Sequence, residues 1–498
     1  MSHRELLIGD IFRRNARQVP DWPAASLEGR VLTHGELDTA GNRLARRLRA
    51  AGVRHGDRVA TWADTHLDVL PLFVALAKLG AVFAPLNARF TLQEAQGVAH
   101  SARARILVAD PARAEEAKQL RAAAGIPKLL VLGSGRDLDP QAPGNATDIE
   151  EPALRETDTH VIFFTSGSTG RPKGVVLSHR ANFLRSFQGV FRDDPERSVC
   201  MFPLFHMAAF TLALAAWQTR GEIAFSAPSA DALLHTVEAR RANRLYCIPA
   251  VWARILATEP GRYDTESLRE ADTGTSAVPI ALVRALKERF PRTATRIYYG
   301  STEVGSGTTL PDSDVLRKPG SVGLPSPGSE LQLSDKGEIC IRSPYLCDGY
   351  FDDAHSTQAV LQAGWFHTGD VGALDGDGYL SVTGRLKEII RTGGESVAPS
   401  EVEAVLAAHP EVKEVAVVGI PDSQWGEVVC AVVVPARAGA APDLGALQEL
   451  CEGQLASFKK PRRLEVLEGL PRTAATGQVQ RALLVQQILA PPPALGTP

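Results

Sequence analysis

The chain has 498 residues, 44% of them hydrophobic, and a formal net charge of −3. At about 100 to 200 residues per domain that length suggests roughly two to four domains, enough to bury a large interior. No long basic or acidic block is present, which argues against nucleic acid or an anionic membrane surface as an obligate partner and for a small-molecule one.

The opening MSHRELLIGDIFRRNARQ lacks the basic start, apolar run and cleavage site of a secretory signal, so the cytoplasm is the expected location. Cysteines Cys200, Cys247, Cys340, Cys347, Cys430 and Cys451 are scattered without a CxxC pair, as expected of buried or free thiols in a reducing compartment. Residues 33–52, THGELDTAGNRLARRLRAAG, set Thr33 and Glu36 in a capping-box spacing and place Leu37, Leu44 and Leu48 on one helical face, with Gly52 as the stop. The most apolar window, VLPLFVALAKLGAVFAPL, carries Lys78 and is broken by Pro71, Gly80 and Pro85; it reads as a buried helix and strand rather than a membrane span. DRVATWA, ARILVAD, KLLVLG, HVIFFT, EIAFSA, RLYCIPA and ATRIYYG alternate with helical stretches, the pattern of α/β layers with largely buried strands.

From about residue 315 to 383 short strands and turn residues dominate, a β-rich subdomain within a large multi-layer N-terminal domain, 1–386. Beyond GRLKEII, SEVE at 400–403 has a second capping-box spacing. Strands EVAVVGI and VVCAVVVP, a helix near 445–458 and the strand-like RRLEVLE follow, making 387–490 a small α+β C-terminal domain, with 491–498 a disordered tail.

The most informative segment is HVIFFTSGSTGRPKGVVLSHRANFL, residues 160–184. A buried strand runs into Thr165, Ser166, Gly167, Ser168, Thr169, Gly170 and Lys173, and a helix is expected after Ser178. Small residues admit backbone N–H groups close to an anion, hydroxyls add donors and the lysine adds charge; a polyphosphate requires all three. The spacing is not GxxxxGK[ST], so the usual P-loop NTPase inference does not transfer.

TSGSTGRPKG, YYGSTEVG, GWFHTGDVG and GRLKEIIRTGGESVAPSEVE, in that order and over nearly the whole chain, resemble the adenylate-forming superfamily of acyl-CoA synthetases, luciferases and nonribosomal peptide adenylation domains. The resemblance implies a large N-terminal domain, a small mobile C-terminal domain, ATP with Mg2+, and successive half-reactions. A carboxylate attacks the α-phosphate to give an acyl adenylate and pyrophosphate; in many members a thiol, here CoA as the expected co-substrate, then displaces AMP.

Motif matching implies individual roles. Thr165 to Gly170 and Lys173 cradle phosphate. Tyr298 and Tyr299 precede the turn of Gly300, Ser301 and Thr302, with Tyr299 against adenine and Thr302 near phosphate. Glu303 supplies a hard oxygen to Mg2+, Asp370 accepts from the ribose hydroxyls and Arg385 contacts nucleotide oxygens. Lys387 falls on the hinge position, where backbone freedom matters more than the side chain. FPLFHMAAF, 202–210, is similar to the segment bordering the acyl pocket and puts His206 beside the carboxylate, with CIPAVW (247–252) and DTGTSAVP (272–279) as the other wall. Gly274, Thr275 and Ser276 stand where the family more often has a pair of glycines before the small residue; the volume and hydroxyl of Thr275 favour a compact, polar or aromatic substrate over a long aliphatic one. Gly393 to Glu395 matches the loop lining the pantetheine channel.

LPRTAATGQVQRALL, 470–484, departs from the pattern. The family loop ends Thr-Gly-Lys, and its lysine puts positive charge on the substrate carboxylate and α-phosphate, a contribution on the order of several kcal/mol. Here Gln478 follows Thr476 and Gly477, the turn has an extra alanine (Ala474 or Ala475), and no lysine occurs after Lys460. Three activities fit: an acyl- or aryl-CoA ligase in which Gln478 donates a neutral hydrogen bond; an enzyme activating another small oxyanion, nitrite, to diazotise an arylamine; or a nucleotide-binding homologue without efficient turnover. The ligase leads, because every ATP-binding motif is present. No carrier domain is fused, so delivery to a carrier protein would act in trans.

Overall fold

The computed structural model describes residues 5–165, 172–187, 194–393, 395–437, 439–473 and 477–490. Contacts divide the chain into two compact units, Met1–Glu330 with Ile341–Phe366, and Leu331–Cys340 with His367–Pro498. The architecture is mixed α/β, with a large first unit and a smaller second.

In the first unit the strands form a nine-stranded and a seven-stranded sheet. Five neighbours of the larger sheet run parallel, in the order Glu222–Phe225, Arg197–Cys200, Arg244–Tyr246, Glu270–Gly274 and Ala294–Ser301. Gly305–Leu310 then turns back antiparallel against Ala294–Ser301. In the smaller sheet, the parallel strands Val82–Leu86, Arg58–Trp62, Ile106–Ala109 and Lys128–Val131 are extended by the antiparallel hairpin Thr159–Thr165/Lys173–Ser178 and by Gly349–Tyr350. Aromatic side chains fill the interior: Phe73 stacks on Phe210 at 4.4 Å between centroids, and Phe210 meets Phe83 edge-on at 5.2 Å. Truncating either fully buried ring to alanine would cost about 3–5 kcal/mol.

The capping box forms as read. Glu36 N–H donates to Thr33 Oγ1 at 3.2 Å, Thr33 N–H to Glu36 Oε2 at 2.9 Å, and the helix His34–Ala50 begins there. The apolar window is the helix Val69–Leu79 and the strand Val82–Leu86, joined at Gly80 with φ +66°. Lys78, fully buried, is paid for by Asp38 at 2.7 Å, Asp148 at 2.8 Å and the Asn42 carbonyl at 2.7 Å. Among the described residues no helix is long and apolar enough to cross a membrane.

The second unit carries the antiparallel pair Val412–Asp422/Gly426–Pro435, flanked by Ile390–Thr392 and by the parallel strand Arg463–Val466. It begins earlier than the joint read at Lys387: residues 370–374 pair with 380–385, and Ser400 Oγ donates to Thr383 O, tying that hairpin to the helix Pro399–Leu406. The same bond corrects the capping-box reading of SEVE. The N-cap is Ala398, without a side-chain cap, Pro399 opens the helix, and Glu403 turns away to Val417 N–H and Arg481. The helix expected near 445–458 stops at Leu450, and a 3-10 turn, Ser457–Lys459, follows. All six cysteines are buried and unbridged. The tail, 491–498, lies outside the described residues.

Candidate active site

Thr165 and Lys173 are cross-strand partners at the mouth of the Gly/Ser loop, so the hairpin fixes both of its ends. Ser166, Gly167, Ser168, Thr169 and Gly170 themselves lie outside the described residues. Lys173 Nζ sits 4.8 Å from the ring centroid of Tyr350, which arrives on the short strand paired with Val175 and Val176. The Tyr350 hydroxyl donates to Glu303 Oε1 at 3.1 Å, and Ser301 Oγ donates to Glu303 Oε2 at 2.8 Å. Burial, reinforced by the Glu303 charge, pushes the Tyr350 phenol far above its ordinary pKa, so it remains a donor. Neutral donors thus hold Glu303, which has no ion-pair partner among the described residues.

The turn carrying Thr302 and Glu303 is clamped from behind. Arg185, buried on the helix His179–Ser186, donates to Thr302 O at 2.9 Å and to Tyr345 O at 2.6 Å, while Cys347 N–H donates to Glu303 O at 2.8 Å. Burial draws the Arg185 pKa down to about 10, still charged at neutral pH. Gly300 sits at a bulge where a Cβ would lie 1.8 Å from Gly305 O, so no larger residue fits without opening the strand pair. Sequence reasoning missed Arg185 and Tyr350. Both act at long range in sequence, at separations of 117 and 47.

At the C-terminal ends of the parallel strands a row of rings forms. His206 stacks on Phe202 at 5.6 Å, Phe202 lies 5.7 Å from Tyr246, and Tyr246 lies 6.2 Å from Tyr298. Register explains the row: Tyr246 is level with Asp272, and Gly274 with Tyr298, so alternation puts Tyr246, Gly274 and Tyr298 on one face. A Cβ at Gly274 would meet Tyr298 O at 2.3 Å and the Tyr246 hydroxyl at 2.8 Å. Thr275 follows in the left-handed region, φ +67°, with its hydroxyl on Gly274 O at 2.5 Å, and Ser276 is exposed. His206 caps the helix Met207–Gln218: its Nδ1 accepts from Ala208 N–H at 3.2 Å. Burial lowers its pKa to about 4, so the ring is neutral with its proton on Nε2. The expectation that CIPAVW forms the facing wall is corrected by one residue. Cys247, Val251 and Trp252 are core, Trp252 Nε1 donating to Asp272 O at 2.9 Å, and Tyr246 is the residue in the row.

In the second unit Asp370 and Arg385 face each other across a strand pair, Arg385 Nε 2.9 Å from Asp370 Oδ1. Glu338 steadies this hairpin: Oε1 accepts from Gly369 N–H at 2.9 Å, and Oε2 lies 2.9 Å from His367 Nδ1. Thr368 Oγ1 donates to Ile339 O at 2.8 Å and accepts from Asp370 N–H at 3.1 Å. Gln478 closes a loop in which its N–H donates to Thr473 Oγ1 at 3.1 Å and its carbonyl accepts from Thr473 N–H at 2.8 Å; Gly477 takes φ +67°. Arg472 braces the loop through Gly477 O at 2.7 Å, and Ala474, Ala475 and Thr476 lie outside the described residues. Lys459 and Lys460 pair with Glu401 and Glu452, and Lys387 is exposed.

The family model "AMP-binding enzyme" matches residues 12–351, and "AMP-binding enzyme C-terminal domain" matches 401–476. The chain belongs to the AMP-binding enzymes. A feruloyl-CoA synthase from Amycolatopsis is 37% identical to this AMP-binding enzyme over 94% of its chain and 97% of the relative. An indoleacetate–CoA ligase from Aromatoleum aromaticum is 33% identical over 94% and 95%. Among solved structures, ATP-bound MatB from Rhodopseudomonas palustris superposes with a TM-score of 0.87 at 29% identity, covering 96% and 98% of the two chains. The o-succinylbenzoate CoA synthetase MenE from Bacillus subtilis, in complex with its acyl-adenylate, gives 0.84 at 26%, covering 95% and 97%. The AMP-binding enzyme described here is therefore an ATP-dependent, AMP-forming ligase of the acyl-CoA synthetase type.

Proposed function

We propose that the protein activates a compact aromatic carboxylic acid with ATP and transfers the acyl group to CoA. The array Lys173, Tyr350, Glu303 and the clamped 302–303 turn carries this reading, because it brings a cation and a carboxylate to the two sides of one phenol. The loop from Thr165 and Lys173 bind the β- and γ-phosphates, Tyr299 packs on adenine, and Asp370 and Arg385, loosened from one another, take ribose and nucleotide oxygens. Glu303, held by neutral donors, fits Mg2+, which when bound supplies positive charge to the phosphates. His206 Nε2–H donates a hydrogen bond to the acid's carboxylate, which keeps its charge. A carboxylate oxygen attacks the α-phosphorus, the bond to pyrophosphate breaks, and Gln478 supplies an amide hydrogen bond where relatives use a cation. The CoA thiolate then attacks the acyl carbon and AMP leaves. Lys387 is the pivot between the half-reactions, and the reaction belongs in the cytoplasm, where ATP and CoA are abundant.

The substitution at Gln478 favours a second reading, nitrite activation followed by diazotisation of an arylamine. ATP–pyrophosphate exchange separates them: the ligase exchanges label when an aromatic acid alone is added, whereas exchange with nitrite and none with any acid would replace the first reading with the second.

A further inference from the structure

Two phenol groups in the ring row have no hydrogen bond. Tyr246 and Tyr298 are half-buried, 6.2 Å apart between centroids, and neither hydroxyl is paired within the described chain. Burial, then the charge of Asp272, pushes the Tyr298 pKa up to about 12 and that of Tyr246 higher still, so both are neutral groups able to donate and to accept. Neither hydroxyl is sealed off, so each is open to a ligand, and the same strand ends also carry Gly274, whose missing Cβ leaves room for the Tyr246 oxygen.

One layer deeper on the same sheet face lies a buried ion cluster. Arg244 bonds Glu196 at 3.0 Å and Asp272 at 2.7 Å, and Arg296 bonds Asp272 at 2.8 Å and also Glu270. Of the charges there, that of Asp272 acts most strongly on both phenols, and it opposes a second carboxylate on the substrate and suits a neutral oxygen. Between His206 and Tyr246 lies Phe202, itself buried, so the row joins the imidazole donor at one end to the two phenols at the other. A saturated chain would reach the same place and leave both phenols unpaired.

We propose that Tyr246 and Tyr298 recognise an uncharged hydroxyl or ether oxygen on the ring of an aromatic carboxylic acid whose carboxylate lies at His206. The substrate class is thus an oxygen-substituted aryl acid, an assignment that rests on the ligase reading of this pocket.

The test uses the full-length protein with AMP present and measures binding of 4-hydroxycinnamate, cinnamate, 4-carboxycinnamate and nonanoate by calorimetry. 4-Hydroxycinnamate should bind best, by about ten-fold or more over cinnamate, with 4-carboxycinnamate and nonanoate weaker than 4-hydroxycinnamate. Tyr246→Phe and Tyr298→Phe should each move the hydroxycinnamate-to-cinnamate ratio toward one, and the ratio within each variant removes any effect of lost folding. Equal binding of the first two acids, tightest binding of the dicarboxylate, or a ratio unchanged in both variants would overturn the assignment. Pyrophosphate release is measured in parallel. The expected binding pattern without acid-dependent release removes the ligase reading and keeps the pocket assignment; release with a flat ratio removes the assignment alone.

Discussion

The proposed function puts two neutral groups, His206 and Gln478, where negative charge would gather, and that sets the expected behaviour of single substitutions. With Nδ1 accepting from Ala208 N–H and a pKa near 4, His206 offers one Nε2 donor and does not titrate between pH 6 and 8. Glu303→Gln keeps the hydrogen bonds from Ser301 and Tyr350 but removes the charge; we expect kcat/KM for ATP to fall by about 10²–10³, with a higher Mg2+ concentration for half-maximal rate. A fall without any shift in Mg2+ dependence would assign Glu303 another role. Gln478→Lys should raise the rate of acid adenylation by about ten-fold or more in single-turnover assays, since it restores charge on the α-phosphate. An unchanged or lower rate would show that the loop, one alanine longer than the usual pattern, no longer delivers its end to the reacting atoms.

At the level of elements, the candidate site depends on Arg185, which reaches across from the helix His179–Ser186 to the 302–303 turn. Arg185→Ala leaves the Thr302 and Tyr345 carbonyls without their donor, and we expect a loss of about 2 kcal/mol or more in denaturant titrations together with a raised KM for ATP. Stability lost with KM unchanged would make the clamp purely structural. Local chemistry made some elements legible: Thr33 and Glu36 three apart start a helix whatever surrounds them, and the Gly/Ser stretch after HVIFFT could only be a loop. Parity was harder. CIPAVW looked like a pocket wall because it is apolar, but in the strand Arg244–Tyr246 the residue on the face of Gly274 is Tyr246, and only the cross-strand register shows this. Ser400 failed as a cap because Pro399 had already opened the helix and the serine was drawn to Thr383 O, 17 residues away. Arg185 and Tyr350 were illegible for the same reason: a buried clamp is defined by the carbonyls and carboxylate it meets, which lie far off in sequence.

Across the whole molecule, burial of histidine governs the response to acid. Burial holds His34 and His206 at about 4 and His179 at about 3, and His160, packed 4.6 Å from His179, well below its ordinary value. Above about pH 6.5 both folded and unfolded chains keep these rings neutral, so they add no pH dependence. Below it the unfolded chain takes up protons that the native one refuses, and stability falls by about 1.4 kcal/mol per pH unit for each ring until the native values are reached. Denaturant titrations at pH 7.5 and pH 5.5 should differ by on the order of 4 to 6 kcal/mol, the lower pH being less stable; equal midpoints would mean these rings are not buried neutral. The overall architecture was the most legible part, since alternating β-branched and helical stretches dictate α/β layers. The division between units was not, because residues 367–386 group by their contacts with the second unit, the Ser400–Thr383 bond among them, although their sequence texture matches the first.

The central claim is that a carboxylate oxygen of the substrate attacks the α-phosphorus of ATP. Incubating the full-length protein with ATP, Mg2+, CoA and an aromatic acid labelled with 18O in its carboxylate, then weighing the recovered AMP, tests this step itself. The account requires AMP carrying one 18O per acyl-CoA formed. Unlabelled AMP, or AMP that takes its new oxygen from 18O-labelled water instead, would contradict it.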